Sequence, residues 1–213
     1  MKEEASAHQP RLLPLSLSIS IKIYFIISRK TVNISIAGAI IGSVVPPVTS
    51  LMREAIRKVT GQEALVVNVD MNIGLEVLMD NPSSVGTDLI VGAVAGINRY
   101  PVPLILIDMG TATTICVVNE NKQYIGGMIL PGIGVSMNSL TSRTAQLPRI
   151  SLDPPKRLIG KNTVECMQSG ALYGNASCID GMVDRIEEEL GQKATVVATG
   201  GLARKIIPLC RHQ

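Results

Sequence analysis

The chain has 213 residues, of which 46% are hydrophobic and 17% charged, so one to two domains with a substantial core are available. Aromatic residues make up only 2%, with no Trp, so the core must rest on Ile, Val, Leu, Met and Ala, and base-stacking on single-stranded nucleic acid is poorly served. The net charge of +3 is scattered, with small basic clusters at Arg53/Arg57/Lys58 and Arg204-Lys205, which is too little for a DNA-binding face; no nucleic-acid partner is expected.

Residues 1–11 are polar and irregular. From 15 to 23, Leu15, Leu17, Ile19, Ile21 and Ile23 alternate with Ser16, Ser18, Ser20 and Lys22, the period of one half-buried strand. A signal peptide is disfavoured by Glu3 and Glu4 ahead of the apolar run, by Lys22 within it, and by the lack of a small-residue cleavage site. Pro14 and Lys22 leave too short a run to span a bilayer, so no membrane role is expected. Cys116, Cys166, Cys178 and Cys210 show no C-x-x-C spacing, and His8 and His212 lie near the termini, so no zinc pattern is readable. The cysteines read as buried free thiols, in keeping with a cytoplasmic location.

The chain then alternates strand and helix. Residues 34–45 read as a strand ending at Pro46-Pro47, a natural helix entry. A helix follows over 48–60, with Leu51, Met52, Ala55, Ile56 and Val59 at helical spacing and Gly61 as its stop. Residues 64–69 read as a strand, 80–82 as a turn, and 89–98 as a helix. Pro101 and Pro103 separate that helix from an apolar strand at 104–107, and a second strand is expected over 114–118. Such repeated units argue for an α/β fold.

Four places carry possible chemistry. The strand at 104–107 delivers Asp108-Met109-Gly110-Thr111 at the start of a hairpin. A glycine there lets the backbone approach an anion, hydroxyls and freed N–H groups can bind phosphate oxygens, and the carboxylate can hold a cation. The same residues also suit an ordinary Thr-rich hairpin. Asp88, after Val85-Gly86-Thr87, reads either as a first-turn acid favouring the positive helix end or as a general base across a cleft from the hairpin. Thr163 is the expected N-cap of a helix from Val164 to about Tyr173. Thr199-Gly200-Gly201 after a strand at 194–197 permits close approach of a nucleotide, or simply a tight turn.

The hairpin looks like the second phosphate-binding hairpin of the superfamily that holds acetate kinase, sugar kinases, heat-shock ATPases and actin. Taken together, the segments closely resemble the type III pantothenate kinases. The resemblance rests on G-S-V-V-P-P at 42–47, V-G-T-D at 85–88, I-D-M-G-T-A-T-T at 107–114, G-G-M-I-L-P-G at 126–132, L-P at 147–148, I-G-K-N-T at 159–163, M-Q-S-G at 167–170 and A-T-G-G-L-A at 198–203, in the family's order. It implies phosphorylation of pantothenate by ATP in coenzyme A synthesis, with Mg2+ and a monovalent cation, K+ or NH4+. It implies that Asp88 accepts the proton, that Asp108 ligates the monovalent cation, and that Gly110, Thr111, Gly200 and Gly201 approach ATP. It further implies that Gly86, Thr87, Asp88, Leu89 and Thr163 contact pantothenate, and that the chain is a homodimer, here expected to pack through 163–183.

The fold so implied is a duplicated ribonuclease H-like, actin-like α/β architecture. An incomplete first half is expected over 1–103, and a second half lacking its final elements over 104–213. Three departures from the family stand out. Leu89 replaces the usual Arg after the aspartate; no D-x-G-N-T phosphate loop occurs in residues 1–30, where the first glycine of the chain is still to come at Gly38; and the chain ends soon after T-G-G. Phosphoryl transfer depends on positioning and charge stabilisation, so the sequence as written is expected to have little or no kinase activity. A non-catalytic regulatory protein retaining the fold, of the transcriptional-activator-like kind, is the competing expectation.

Overall fold

A computed structural model describes residues 12–17, 21–30, 33–68, 71 and 73–212, with side chains from residue 37 onward within those ranges. The described residues divide into two compact units: one runs up to Ile73 and includes Asp80–Gly92, and the other comprises Gly74–Met79 and the residues from Ala93 on.

The first unit contains a sheet of four strands in the order β1-β2-β3-β4, formed by Leu12–Leu17, Ile21–Lys30, Asn33–Ser43 and Ala64–Val66. The single strand expected over 15–23 is instead split between two antiparallel strands, with Leu17 opposite Ile21. Alternation has the same period in both strands, so it does not reveal where the chain reverses; residues 18–20 lie outside the described residues. Strand β3 pairs antiparallel with β2 and parallel with β4.

The β3–β4 connection is helix α1, Pro46–Thr60, which needs no N–H from Pro46 or Pro47 in its first turn. Gly61 closes it at φ +71°, its N–H donating to the Arg57 carbonyl. Of the apolar stripe read from the sequence, Ile56 and Met52 pack on Ala39, Ile41 and Ala64, whereas Leu51 and Val59 are exposed. Helix α2, Thr87–Ile97, begins two residues before its expected start, so Thr87 and Asp88 belong to its first turn.

The second unit holds a five-stranded sheet in the order β5-β8-β7-β6-β9, formed by Glu76–Val77, Leu104–Met109, Ala112–Val118, Gln123–Pro131 and Thr195–Thr199 in chain order. Strands β6, β7 and β8 form an antiparallel meander, β9 runs parallel to β6, and the short β5 runs parallel to β8. The β7–β8 turn falls at 119–122. There the Asn119 side chain accepts from the N–H groups of Asn121 and Gln123, and Lys122 takes φ +60°.

One sheet face presents Ile105, Ile107, Met109, Ile115 and Val117 to a core completed by Leu172, Ala176, Ile179 and Val183 of helix α4, Thr163–Leu190. On the other face, Gly96 near the end of α2 meets the Leu104 and Leu106 side chains so closely that a Cβ would lie 2.5 Å from Leu104 Cδ2. Helix α4 runs far beyond the expected Tyr173, because Gly174 and Gly181 cost less than the burial of Ile179, Val183 and Ile186 gains. Helix α3, Ile133–Arg143, is not legible as a helix in sequence: it is rich in Ser, Thr and Asn and fully buries only Ile133. A last short helix, α5, spans Ala203–Ile206. All four cysteines are free; Cys116 and Cys210 are buried and Cys178 half-buried, but Cys166, expected inside, is exposed.

Candidate active site

Strand β6 ends in Asp108, Met109 and the turn at Gly110 and Thr111. Met109 points into the core and is buried, so by alternation Asp108 lies on the opposite face, half-buried. Pairing places Asp108 directly between Thr114 of β7 and Thr199 of β9, and Thr114 in turn opposite Ile129 of β8. A carboxylate thus stands in register with a threonine on either neighbouring strand. Gly110 and Thr111 are exposed at the tip.

Two glycines let other segments close on this tip. Gly132, the residue before α3, donates its N–H to the Thr111 carbonyl at 3.0 Å. A Cβ at Gly132 would collide with the carbonyl oxygens of Gly110 and Thr111, so only glycine fits. Gly200, just past β9, has φ +99°, and a Cβ there would lie 2.6 Å from both the N and O of Met109. The D-x-G-T turn, the start of α3 and the T-G-G turn therefore meet at one end of the sheet, in the second unit. Gly110 and Gly200 both stand there. Gly132 closes the G-G-M-I-L-P-G motif at 126–132 but is given no site role by the sequence.

In the first unit, Gly86 precedes α2 and its carbonyl accepts from the Leu89 and Ile90 N–H groups. Asp88 is half-buried, and its Oδ1 accepts from the Leu89 N–H at 3.0 Å. A Cβ at Gly86 would lie 2.6 Å from that same Oδ1, so the glycine makes room for the carboxylate. The Thr87 hydroxyl is buried with no hydrogen-bond partner among the described residues. Leu89 is half-buried.

Thr163 is the first residue of α4, not its cap. The N-cap is Asn162, whose side-chain oxygen accepts from the Glu165 N–H at 2.9 Å, while the Glu165 carboxylate accepts from the Lys161 N–H at 3.1 Å. Asx oxygens reach the N3 amide at least as well as threonine does, and the carboxylate answers in the manner of a capping box. Thr163 is thereby left exposed with its hydroxyl outside the cap. It lines an open groove of about 800 Å³ with Asn162, Lys161, Met137, Leu140 and Met167.

Residues 18–185 match the family model of type III pantothenate kinase. The chain belongs to the type III pantothenate kinase family. It is 48% identical over 171 residues to the type III pantothenate kinase of Bacillus cytotoxicus, an alignment that takes in 80% of this chain and 65% of that relative. The chain thus spans somewhat less than two thirds of that kinase's length. Among solved structures, it is similar to a Campylobacter jejuni chain assigned to the Baf family of transcriptional activators, with a TM-score of 0.44 and 20% identity over 69% of this chain and 63% of the other. It is also similar to the activator of the 2-hydroxyisocaproyl-CoA dehydratase from Clostridium difficile with bound ADPNP, with a TM-score of 0.40 and 12% identity over 87% and 78%. Both scores are too low to bear on the fold. The motifs at Asp88, Asp108 and Thr163 all fall inside the segment matched to the pantothenate kinase family.

Proposed function

We propose that this protein phosphorylates pantothenate with ATP to give 4'-phosphopantothenate, the first step of coenzyme A synthesis. Membership of the type III pantothenate kinase family carries the reading. The tip of β6 supports it: the Gly110–Thr111 turn, closed on by Gly132 and Gly200, is exposed and offers a threonine hydroxyl beside a glycine without a side chain, while the Gly110 N–H donates to the Ala112 carbonyl at 3.0 Å.

In this reading Gly110, Thr111, Gly200 and Gly201 hold the nucleotide. Gly86, Thr87, Leu89 and Thr163 hold pantothenate, and the orphaned Thr87 hydroxyl suits a polar ligand group. Asp88 accepts the proton of the attacking alcohol; a carboxylate is too weak a base to remove it beforehand but takes it as the phosphoryl group moves. Asp108, in register with Thr114 and Thr199, offers oxygen donors to the monovalent cation, K+ or NH4+. Such cations, when bound, neutralise charge on the phosphate oxygens. Leu89 supplies packing but no charge to the substrate carboxylate.

The same reading makes the fold two ribonuclease H-like halves dividing near Pro103. In the second, the β6-β7-β8 meander with parallel β9 beside β6 supports that description. It also makes the protein a cytoplasmic homodimer packed through 163–183. Exposed Ile159, Val164, Val135 and Leu140 near the α3–α4 groove support the dimer, as does the open space beside Gly170 and Gly174 of α4. Among the described residues, no helix is long and apolar enough to cross a membrane.

The test is a coupled ADP-release assay with pantothenate, ATP, Mg2+ and K+. ADP release that requires pantothenate is the expected result, weak for the sequence as written because residues 1–30 hold no D-x-G-N-T loop, and at ordinary kinase rates once that loop is supplied. Release indifferent to pantothenate, or none even with the loop supplied, overturns the reading.

A further inference from the structure

Away from the residues assigned to the kinase site, two carboxylates and an imidazole gather from separate stretches of the chain. Asp184 and Glu187 stand three residues apart on α4 and share a face of the helix. His212 comes from the segment after α5. That segment is held by bonds outside the cluster, since the N–H groups of Arg211 and His212 donate to the Asp180 carboxylate at 2.9–3.1 Å. His212 Nε2 lies 2.8 Å from Asp184 Oδ1, and one ligand-type atom from each of Asp184, Glu187 and His212 lies within 4.8 Å of the others.

We propose that Asp184, Glu187 and His212 form a binding site for one divalent transition-metal ion of the zinc type, tying the segment around His212 to α4. Two carboxylate oxygens and one imidazole nitrogen form a donor set suited to borderline ions, with a fourth position left for water. Metal–ligand bonds of about 2.0–2.2 Å draw the three donors inward. The Asp184 side chain is 58% exposed and has room to make that movement. Glu187 is buried and fixed in place: Oε1 accepts from the Ala194 N–H at 3.1 Å, and Oε2 pairs with the Lys193 ammonium at 2.6 Å.

Lys193 is therefore a built-in competitor. Its ammonium occupies one Glu187 oxygen and repels an incoming cation, but its side chain is 83% exposed and can swing into solvent. Removing that charge strengthens a true metal site, whereas it only costs a purely structural cluster an ion pair. The cluster is not legible in sequence, because His212 is brought to α4 by tertiary folding alone.

The experiment is calorimetric titration of the intact protein with zinc chloride, joined by the visible absorption of bound cobalt(II). The expected result is one equivalent bound. His212→Gln and Asp184→Asn each weaken binding by at least the roughly tenfold seen when even a supporting partner of a ligand is lost, and Lys193→Met tightens it. Absence of stoichiometric binding overturns the proposal, as does His212→Gln with unchanged affinity. A cobalt–thiolate band also overturns it, by assigning the ion to the cysteines.

Discussion

Gly200 rests its α-carbon on the main chain of Met109, at φ +99° and with no room for a Cβ, which would lie 2.6 Å from the Met109 nitrogen and oxygen. This contact locks the T-G-G turn to the end of β6 beside Asp108. Gly200→Ala forces both an unfavourable φ and a backbone clash. The backbone strain alone costs on the order of 1–3 kcal/mol. Urea unfolding should show that loss, and the affinity for a non-hydrolysable ATP analogue should fall with it. An unchanged unfolding midpoint would mean that the two turns are not in contact.

Asp88→Asn keeps the size of the side chain and an oxygen to accept from the Leu89 N–H. What it loses is proton affinity. In a counterpart that carries the family's D-x-G-N-T loop, turnover with saturating pantothenate should drop by roughly 10²–10⁴-fold, the usual loss for a general base. ATP affinity should hold, since the base meets the alcohol rather than the nucleotide. A full-rate variant would leave Asp88 with only a first-turn role.

Asn162 and Thr163 separate stability from binding. Asn162→Ala removes the cap of α4 and should cost about 0.5–2 kcal/mol. Thr163→Ala should leave stability nearly untouched and raise KM for pantothenate. The reverse pattern, read from thermal melts and steady-state kinetics, would restore threonine as the cap.

The thiols should differ in reactivity. Burial first, then the nearby Asp180 carboxylate, pushes the Cys210 thiol up to about 11, while Cys166 is exposed. Ellman's reagent at pH 8 should label Cys166 quickly and Cys210 only on unfolding. The linkage has a definite sign: a thiol whose pKa is raised on folding contributes stability below its unfolded pKa near 9.0, and that contribution disappears as pH rises toward 11. Cys210→Ala should therefore flatten the alkaline fall in stability. An equally steep fall would place its cause elsewhere.

The expected dimer can be split at its apolar surface. Ile159 is 75% exposed and Val164 is 42% exposed, so carboxylates there should leave the fold intact. In sedimentation at micromolar concentration, the unaltered protein should run as a dimer and Ile159→Asp/Val164→Asp as a folded monomer. A monomer in both would remove 163–183 as an interface.

Local chemistry fixed a good part of this protein. Pro46-Pro47 and Gly61 bracket α1 because proline needs no donor in a first turn and glycine accepts a left-handed φ. The apolar run into Asp108 and the turn at 119–122 mark the β6-β7-β8 meander, since strand period and Asx turns are both properties of neighbouring residues. The motifs from 42 to 203 were enough to point to the kinase family. Other features depend on which distant residues meet. Alternation over 15–23 could not show a reversal between β1 and β2, nor did any signal short of burial show that α4 runs on to Leu190. The cap passed to Asn162 through its reach to the Glu165 amide, and α3 exists because Gly132 brings Ile133 into the core beside the Thr111 turn. The two threonines flanking Asp108 come from strand register, and register is set across the sheet rather than along the chain.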